Sequence, residues 1–446
     1  MNDSDPVKSN ISNKESIISS NPENAVSTNK EKLEISNQKV PWAALVALGM
    51  GMLVYGVAES YGPVSAITGV IPSNLAFLGY SLPFIAGGIG AFIAGFMADY
   101  MGRKISFMVT IAMLLIGLII YVLASSNVVA LMVSFILVGM SAIGLESPIL
   151  TMMAEQASAK SRGSLLVITQ NFGNVGVAIV FIPIMLGLSK YQDIVAISLM
   201  FIGPLVALIV AWLLVEESIP WGAVKHKVNI GINEAWKEKD GNAELVEPKG
   251  GLFQRFLILI IIGIAQDVGF VYITYGVSYA YFSAIASEVP LIGGFTMVIV
   301  GIIAALWVVP KVDRKTFATV SYALQLILWI GLWIFEEITG SKAGFALLAI
   351  MTILFVPVEI TWGVRAILEP ELFATAKRGI YISTVRMVVW VSAGVINGIL
   401  LSGIFSIAFN SAMAVITVIF LIGLAAALMW HSKGFETKDK SLAGLD

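Results

Sequence analysis

The chain has 446 residues, of which 58% are hydrophobic and 13% are charged, and its formal net charge is −2. An ordinary soluble domain carries nearly twice that charged fraction, so the composition excludes a typical soluble protein, and the near-neutral charge gives no reason to expect a nucleic-acid partner. The chain contains no cysteine, which excludes disulfides and thiolate metal sites, and we predict neither a metal site nor a cofactor.

The N-terminal segment, residues 1–40, is rich in Ser, Asn, Lys and Glu and poor in aromatic residues. Such a segment cannot bury enough apolar surface to fold, so we predict that it is disordered. No short apolar stretch with a small-residue cleavage site precedes the first long apolar run, and we therefore expect no removable signal peptide.

Twelve apolar runs follow, each close to the roughly 20 residues that a helix needs to cross a bilayer. They predict an all-α membrane protein with twelve transmembrane helices in two pseudo-symmetric six-helix bundles. The predicted helices, numbered 1 to 12, cover 41–63, 74–98, 105–124, 128–153, 164–188, 194–215, 256–283, 291–309, 316–335, 343–368, 380–404 and 406–430.

A charged stretch interrupted by Gly and Pro, residues 216–250, separates the two sets of helices. We predict bundles over 41–215 and 251–430, joined by this linker, and a cytoplasmic tail over 431–446. Because linkers of this composition are commonly solvated, we expect a solvated linker with a short surface helix near Ile232–Lys239. The alternative is a linker that docks on the bundles and regulates them.

The positive residues lie mostly on one face of the predicted helices. Lys and Arg total 27, and all but four lie in segments that share one face if successive helices alternate in direction. Of those four, Lys190 and Lys342 lie in loops on the other face, and two lie inside helices. Since positive residues concentrate on the cytoplasmic side, we predict that both termini are cytoplasmic and that the chain resides in the plasma membrane.

One motif occurs twice, at matching places in the two halves. The first copy reads Glu155-Gln-Ala-Ser-Ala-Lys-Ser-Arg162-Gly, and the second reads Glu371-Leu-Phe-Ala-Thr-Ala-Lys-Arg378-Gly. A membrane protein built from two equivalent bundles is typical of secondary transporters, in which the substrate path runs between the bundles.

Two further loops place acids beside arginines. Asp99 and Arg103 lie between helices 2 and 3, and Asp313 and Arg314 lie between helices 8 and 9. Such pairs make charge-assisted hydrogen bonds that can close one face and part when it opens. The alternative is that these are positive-inside anchors with incidental acids. We predict a cytoplasmic gate formed by these loops and the repeated motif, with the residues Asp99, Arg103, Glu155, Arg162, Asp313, Arg314, Glu371 and Arg378.

These loops resemble those of the major facilitator superfamily. The stretch from Gly95 to Lys104 matches the loop signature of that superfamily, with Tyr100 where an Arg is usual. The second copy of the repeated motif is similar to a signature of the sugar porter branch and its proton-coupled organic-ion and phosphate relatives, with Ala374 in place of the usual Pro. The resemblance implies two six-helix bundles that move a solute by alternating access.

Four acids lie inside the predicted helices. An ionisable group at that depth costs at least about 2.5 kcal/mol and is a functional candidate by default. We predict that these acids carry a coupling proton, with structural ion pairs as the alternative. They are Glu59 in helix 1, Glu146 in helix 4, Asp267 in helix 7 and Glu359 in helix 10.

Asp267 is the first choice among the four, because it lies near the predicted midplane of helix 7. At helical spacing, Thr274, Ser278 and Tyr281 share its face. This polar stripe predicts a water-lined wall.

A second set of polar side chains is suited to hold a solute. Amide groups can bind hydroxyls, a guanidinium can bind a carboxylate or phosphate, and an indole can stack on an apolar surface. The predicted solute contacts are Arg386, Gln170, Asn174, Trp390 and Thr274.

The two arginines inside helices also have structural interpretations. Arg386 is alternatively a cation that only neutralises Glu359 or Asp267. Arg365 lies four residues before Glu369, and an ion pair at that spacing is a sufficient reason for its presence.

We therefore predict a proton-coupled symporter of a small polar or anionic organic solute, functional as a monomer in a lipid bilayer. An uncoupled uniporter of the same fold would leave the acids structural. A drug or metabolite exporter would have a more aromatic and less cationic cavity, which Arg386 argues against. No nucleophile–base pair or phosphate loop is visible in the sequence, so we do not expect an enzyme.

Overall fold

The computed structural model describes residues 42–188, 190–340, 344–402 and 407–446. The segment predicted to be disordered, 1–40, lies outside these residues. Within the described part, the one β pairing is an isolated bridge between Leu245 and Ser441, and nearly all of the regular structure is helical, as predicted.

Twelve helical spans are long and apolar enough to cross a membrane, which confirms the predicted number. Several spans extend into neighbouring shorter elements, and we label the principal helix of each span α1 to α12 in chain order. Their bounds are Trp42–Ile67, Leu82–Tyr100, Arg103–Ala124, Val128–Gln156, Arg162–Ile179, Ile202–Leu214, Leu252–Val271, Glu288–Ile303, Arg314–Thr339, Gly344–Glu371, Arg378–Leu401 and Phe409–Lys433.

Shorter elements extend or connect these helices. Two π-helical turns, Tyr272–Gly276 and Ala304–Val308, continue α7 and α8. The remaining short helices are Ser73–Tyr80, Ile182–Met185, Lys190–Leu199, Ile219–Val224, Ile232–Asp240, Val277–Tyr281, Ser283–Ile285, Thr375–Lys377 and Leu442–Leu445.

The helices follow from the apolar runs and from local capping. The side chain of Asn127 accepts hydrogen bonds from the backbone N–H groups of Val129 and Ala130, at 2.9 and 3.1 Å, at the start of α4. Hydroxyl side chains within the helices bond back to the carbonyl four residues earlier, as Thr361 does to Pro357 at 2.8 Å. This matters in a membrane, where a buried polar group must find its partner inside the protein.

The two halves meet along two pairs of helices, in which α2 packs on α11 and α5 packs on α8. The repeat makes these pairs equivalent, because α2 corresponds to α8 and α5 to α11. Small residues allow the close approach: a Cβ added to Gly95 would lie 1.7 Å from Oγ of Ser383. We call the side of the molecule that carries residues 216–250 the linker face, and the other side the opposite face.

Candidate transport site and gates

A cluster of buried charges lies between the halves. Nη1 of Arg365 lies 2.6 Å from a carboxylate oxygen of Asp267, and Nη2 lies 2.8 Å from Glu369. Glu369 also pairs with Arg386 at 2.6 Å, and Arg386 forms an ion pair with Glu146. Three acids from α4, α7 and α10 thus surround two arginines from α10 and α11, and all five residues are buried.

This arrangement resolves the interpretations that the sequence left open for the arginines. Arg365 makes the predicted pair with Glu369, and it also binds Asp267 on α7. Arg386 pairs with Glu146 and Glu369, and neither Glu359 nor Asp267 is its ion-pair partner. Glu369 bridges both cations. The sequence showed it only as the neighbour of Arg365.

Glu59 on α1 differs from these acids because it has no cation beside it. The residue is 2% exposed, and its carboxylate oxygens make no hydrogen bond of ordinary geometry among the described residues, although the hydroxyl of Tyr55 lies near enough to interact with them. A buried polar group without a partner carries the full cost of desolvation, so this position calls for an explanation.

Glu359 on α10 lies in a separate polar cluster with side chains of α5. Its carboxylate accepts hydrogen bonds from Nε2 of Gln170 at 3.2 Å and from Nδ2 of Asn174 at 2.6 Å. Asn171, one turn before, donates to the backbone carbonyl of Val298 on α8 at 2.9 Å. Two residues predicted to contact solute therefore bind an acid of the other half.

A small cavity lies beside the charge cluster. It has no room for a water molecule, so a solute can enter only when the halves move apart. The wall comes from α1 of the first half and from α7, α10 and α11 of the second. The lining residues are Tyr55, Glu59, Gln266, Asp267, Phe270, Trp362 and Trp390.

Among the predicted site residues, Glu59, Asp267 and Trp390 line this cavity. Arg386, Gln170 and Asn174 do not, because each is engaged with an acid outside the lining. The sequence missed the other three aromatic residues of the wall, Tyr55, Phe270 and Trp362.

Thr274 is also absent from the cavity wall, although its side chain is buried. It lies in the π-helical turn Tyr272–Gly276, and its hydroxyl has no partner in the described part of the chain. A π-helical turn contains more residues than an α-helical turn, which breaks the spacing that put Thr274 and Asp267 on one face. Phe270, which lies three residues after Asp267 and before the π-helical turn, lines the wall.

The linker face is closed by buried ion pairs between the halves. Glu155 on α4 lies 3.1 Å from Arg103 of its own half and 2.8 Å from Arg378 of the other half. Asp99 pairs with Arg103 at 2.8 Å and accepts hydrogen bonds from the backbone N–H groups at the start of α11, at 2.8 and 3.1 Å. Nη2 of Arg103 also donates to the carbonyl of Thr375 at 3.0 Å.

The second half contributes a weaker version of this arrangement. Arg314 lies 3.3 Å from Glu371. Arg162 pairs with Asp240 of the linker at 3.2 Å instead of with an acid of the second half. Asp313, predicted as a gate acid, is exposed and has no ion-pair partner among the described residues. Asp313 directly precedes Arg314, whereas Asp99 lies a full helical turn before Arg103. In the second half, the residue a full turn before Arg314 is a proline, Pro310.

A glutamate that follows the last helix of each half completes the pattern, and neither of these two glutamates was predicted to belong to the gate. Glu217 accepts hydrogen bonds from the backbone N–H groups of Arg103 and Lys104, and Glu436 does the same for Arg314 and Lys315. Burial raises the pKa of Glu217 above its ordinary value, although these backbone N–H groups oppose the shift.

Part of the linker and the tail packs on this gate, while much of residues 225–250 is exposed. The predicted helix is present at Ile232–Asp240, and its Trp236 is buried between two guanidinium groups. The ring centroid lies 5.7 Å from Cζ of Arg162 and 5.4 Å from Cζ of Arg378. Nε1 of Trp236 donates to Asp446 at 2.9 Å, and Thr375 donates to the same carboxylate at 2.6 Å.

The opposite face is closed by apolar contacts and single hydrogen bonds. Oγ of Ser60 on α1 lies 2.7 Å from Oη of Tyr275, which follows α7. A Cβ added to Gly294 on α8 would lie 2.8 Å from Cβ of Ala178 on α5. The cavity is therefore occluded from both faces, with ion pairs on the linker face and weaker contacts on the opposite face.

Comparison with known proteins agrees with this architecture. The profile of the family described as "Sugar (and other) transporter" matches residues 51–446. The proton:xylose symporter XylE, solved with 6-bromo-6-deoxy-D-glucose, is 19% identical over 92% of this chain and 99% of its own, with a TM-score of 0.74.

Two further structures show the same fold. A partially occluded inward-open form of the xylose transporter XylE from E. coli is 17% identical over 90% of this chain and 100% of its own, with a TM-score of 0.66. The human organic anion transporter MFSD10 (TETRAN) is 13% identical over 87% of this chain and 100% of its own, with a TM-score of 0.63. No curated protein sequence matches significantly.

Proposed function

This chain belongs to the sugar (and other) transporter family of the major facilitator superfamily, and on that premise we propose that it couples the movement of a small organic solute to protons. The solute occupies the central cavity while the two halves rock about it. The linker face is cytoplasmic, the membrane is the plasma membrane, and one copy of the chain is sufficient.

The two differently built closures support alternating access. On the linker face, Glu155 and Arg378 pair between the halves, and on the opposite face Ser60 and Tyr275 do so through a single hydrogen bond. Exposed ion pairs contribute little in water, so the linker-face pairs separate at modest cost once water reaches them. Each face can therefore open while the other stays closed.

The charge count around the cavity supports proton coupling, and it is the observation that carries the proposal. Four acids, Glu59, Glu146, Asp267 and Glu369, lie in or beside the cavity wall, and the two arginines pair with the last three, so full ionisation of this group would leave two uncompensated negative charges. Isolated buried charges are very costly, and such a group neutralises instead. Binding and release of protons at these acids can accordingly accompany each change of the open face.

The alternatives make different predictions about this cluster. In a uniporter the acids are structural, and transport is independent of a pH gradient. In a symporter, the proton and the solute bind together. In an exchanger, the proton and the solute compete for the same carboxylates. A drug or metabolite exporter would be an exchanger.

Transport by the purified protein in liposomes tests the proposal. A thermal-shift screen against sugars, carboxylates, phosphate and amines first identifies a solute that stabilises the folded protein. We then expect the wild type to accumulate that solute beyond equilibrium when a pH gradient is imposed. Asp267→Asn, which removes the ionisable group and preserves the shape, should only equilibrate it.

The matched control is Glu337→Gln, which neutralises an exposed acid near the end of α9 and should accumulate solute like the wild type. Undiminished accumulation by Asp267→Asn would remove this residue from the coupling path. Accumulation by the wild type without any dependence on the pH gradient would contradict proton coupling.

A further inference from the structure

We propose that the central cavity binds a monovalent organic cation with an apolar or aromatic body, and that this cation exchanges for a proton at Glu59. The inference rests on the proposed function and names the substrate class of the same site. It departs from the polar or anionic solute that the sequence predicts.

The cavity wall is aromatic and acidic. Four of its seven residues are aromatic, two are acids and one is an amide, and no basic side chain lines it in the described part of the chain. Aromatic faces attract cations, most strongly when the site is desolvated. The rings of Tyr55 and Phe270 lie 5.9 and 6.4 Å from that of Trp362, and together they form one apolar wall.

Glu59 supplies the charge that such a cation would need. It lines the cavity, it is buried, and no cation of the described residues pairs with it, the neutral hydroxyl of Tyr55 being a close neighbour of its carboxylate. By contrast, Nη1 of Arg365 lies 2.6 Å from a carboxylate oxygen of Asp267, so the charge of Asp267 is already compensated. An ammonium group in the cavity would therefore find one acid whose charge is not yet compensated.

The same geometry disfavours the other solute classes. An anion would need a free cation in the wall, but Arg365 and Arg386 are each paired with two acids. A sugar would need several amides or hydroxyls. The one amide of the wall, Gln266, has its oxygen 2.6 Å from Nη1 of Arg365, and Gln170 and Asn174 are bound to Glu359.

Other charged and titratable groups lie around Glu59 and set the balance of charge near the cavity. Acids on α4 and α7 lie near it, and the two arginines are already paired with acids of the cluster. The groups that face it or the adjoining cluster are Tyr55, Tyr275, Glu146, Asp267, Glu369, Arg365 and Arg386. With Glu59 ionised, the cluster carries an excess of negative charge that one proton or one organic cation would reduce equally.

Competition for one carboxylate makes the coupling an exchange. A carboxyl that holds a proton offers no charge to an ammonium group, and an ion-paired carboxylate resists protonation. Cation binding must then release a proton, and the affinity for the cation must rise with pH. For one proton displaced, the apparent Kd falls about tenfold per pH unit while the carboxyl remains mostly protonated in the free protein.

Binding to the purified full-length protein tests this inference, with phenyltrimethylammonium as the probe because its charge does not titrate. We expect the apparent Kd, measured by quenching of tryptophan fluorescence, to fall with increasing pH between about pH 6 and pH 8. In weakly buffered solution, each binding event should release a proton that an indicator dye detects. The anion 4-tert-butylbenzoate, which has a similar shape, and a neutral pentose should bind far more weakly.

Three variants complete the experiment. Glu59→Gln should weaken phenyltrimethylammonium binding by at least about tenfold, which corresponds to 1.4 kcal/mol, and abolish both the pH dependence and the proton release. Glu59→Asp keeps a carboxylate and should retain both. Glu337→Gln removes an exposed acid and should bind like the wild type.

The outcomes separate this inference from the proposed function. Tighter binding of the benzoate or the pentose than of the cation would overturn it, as would cation binding whose affinity is the same at all pH values. Transport of a pentose driven by a pH gradient, without any binding of the cation, would overturn the inference and leave the proposed function standing. Cation binding with proton release but no flux in liposomes would support the cation site and contradict transport.

Discussion

The buried charges show what individual residues reveal in a sequence and what they conceal. Glu146, Asp267 and Arg386 attract notice because an ionisable group in an apolar helix is rare and costly. Their partners are not visible, because Glu146 and Arg386 are far apart in the chain and meet only when α4 and α11 pack. Glu369 is concealed for another reason, since its pair with Arg365 at helical spacing looked self-sufficient.

The pairing can be tested by removing one cation. Arg386→Gln leaves Glu146 and Glu369 without this partner, so we expect it to destabilise the protein by roughly 3–5 kcal/mol. Thermal unfolding in detergent should show a lower Tm, and adding Glu146→Gln should restore part of the loss. Lys311→Gln, which removes an exposed cation, is the control. The pairing would be contradicted if Arg386→Gln lowered the Tm no more than the control does, or if the decreases in Tm were additive in the double variant.

At the scale of helices, the sequence predicts the number and the approximate bounds, because the length of each apolar run is set by the bilayer. It fails where a helix departs from 3.6 residues per turn. The π-helical turn at Tyr272–Gly276 changes the spacing beyond the end of α7, which is why Thr274 was expected at the site but does not line it. Phe270 precedes this turn and lies at ordinary helical spacing from Asp267, so the turn does not account for its omission. The linker helix was placed correctly, but nothing in its composition indicated that Trp236 binds two arginines of the gate.

The contact between α2 and α11 leads to a prediction about the closed linker face. Gly95→Ile places a branched side chain where a single Cβ already meets Ser383, so α2 and α11 must separate. Because the chain has no cysteine, spin labels can be attached at Met101→Cys and Lys377→Cys, which are exposed on the linker face in different halves.

We expect Gly95→Ile to lengthen the distance between these two labels in detergent or nanodiscs. Gly331→Ile is the matched control, because a Cβ at Gly331 on α9 has no neighbour within 4 Å, and its distance distribution should equal that of the parent. An unchanged distance in Gly95→Ile would show that the glycine does not hold the linker face closed.

At the scale of the whole molecule, two equivalent bundles enclose an acidic and aromatic cavity that is closed to both faces. The repeated motif predicted the bundles, because its copies occupy matching places in each half. It could not predict the occluded state, which depends on contacts such as Ser60 with Tyr275 between the halves. Nor could it predict that the cavity wall excludes Arg386, because the neutralising acids come from two other helices.

The central claim is that proton binding at the buried acids sets which face is open, and distances between spin labels on both faces test it most directly. The labels are placed at Met101→Cys and Lys377→Cys on the linker face, and at Asn74→Cys and Ala284→Cys on the opposite face, all of them exposed positions. We predict that acidification from about pH 8 to about pH 6 lengthens one of the two distances and shortens the other. Glu59→Gln, which mimics the protonated acid, should show the acidic distances at both pH values. The account would be contradicted if the two distances did not change with pH, or if they changed in the same direction on both faces. It would also be contradicted if the distances in Glu59→Gln responded to pH as they do in the wild type.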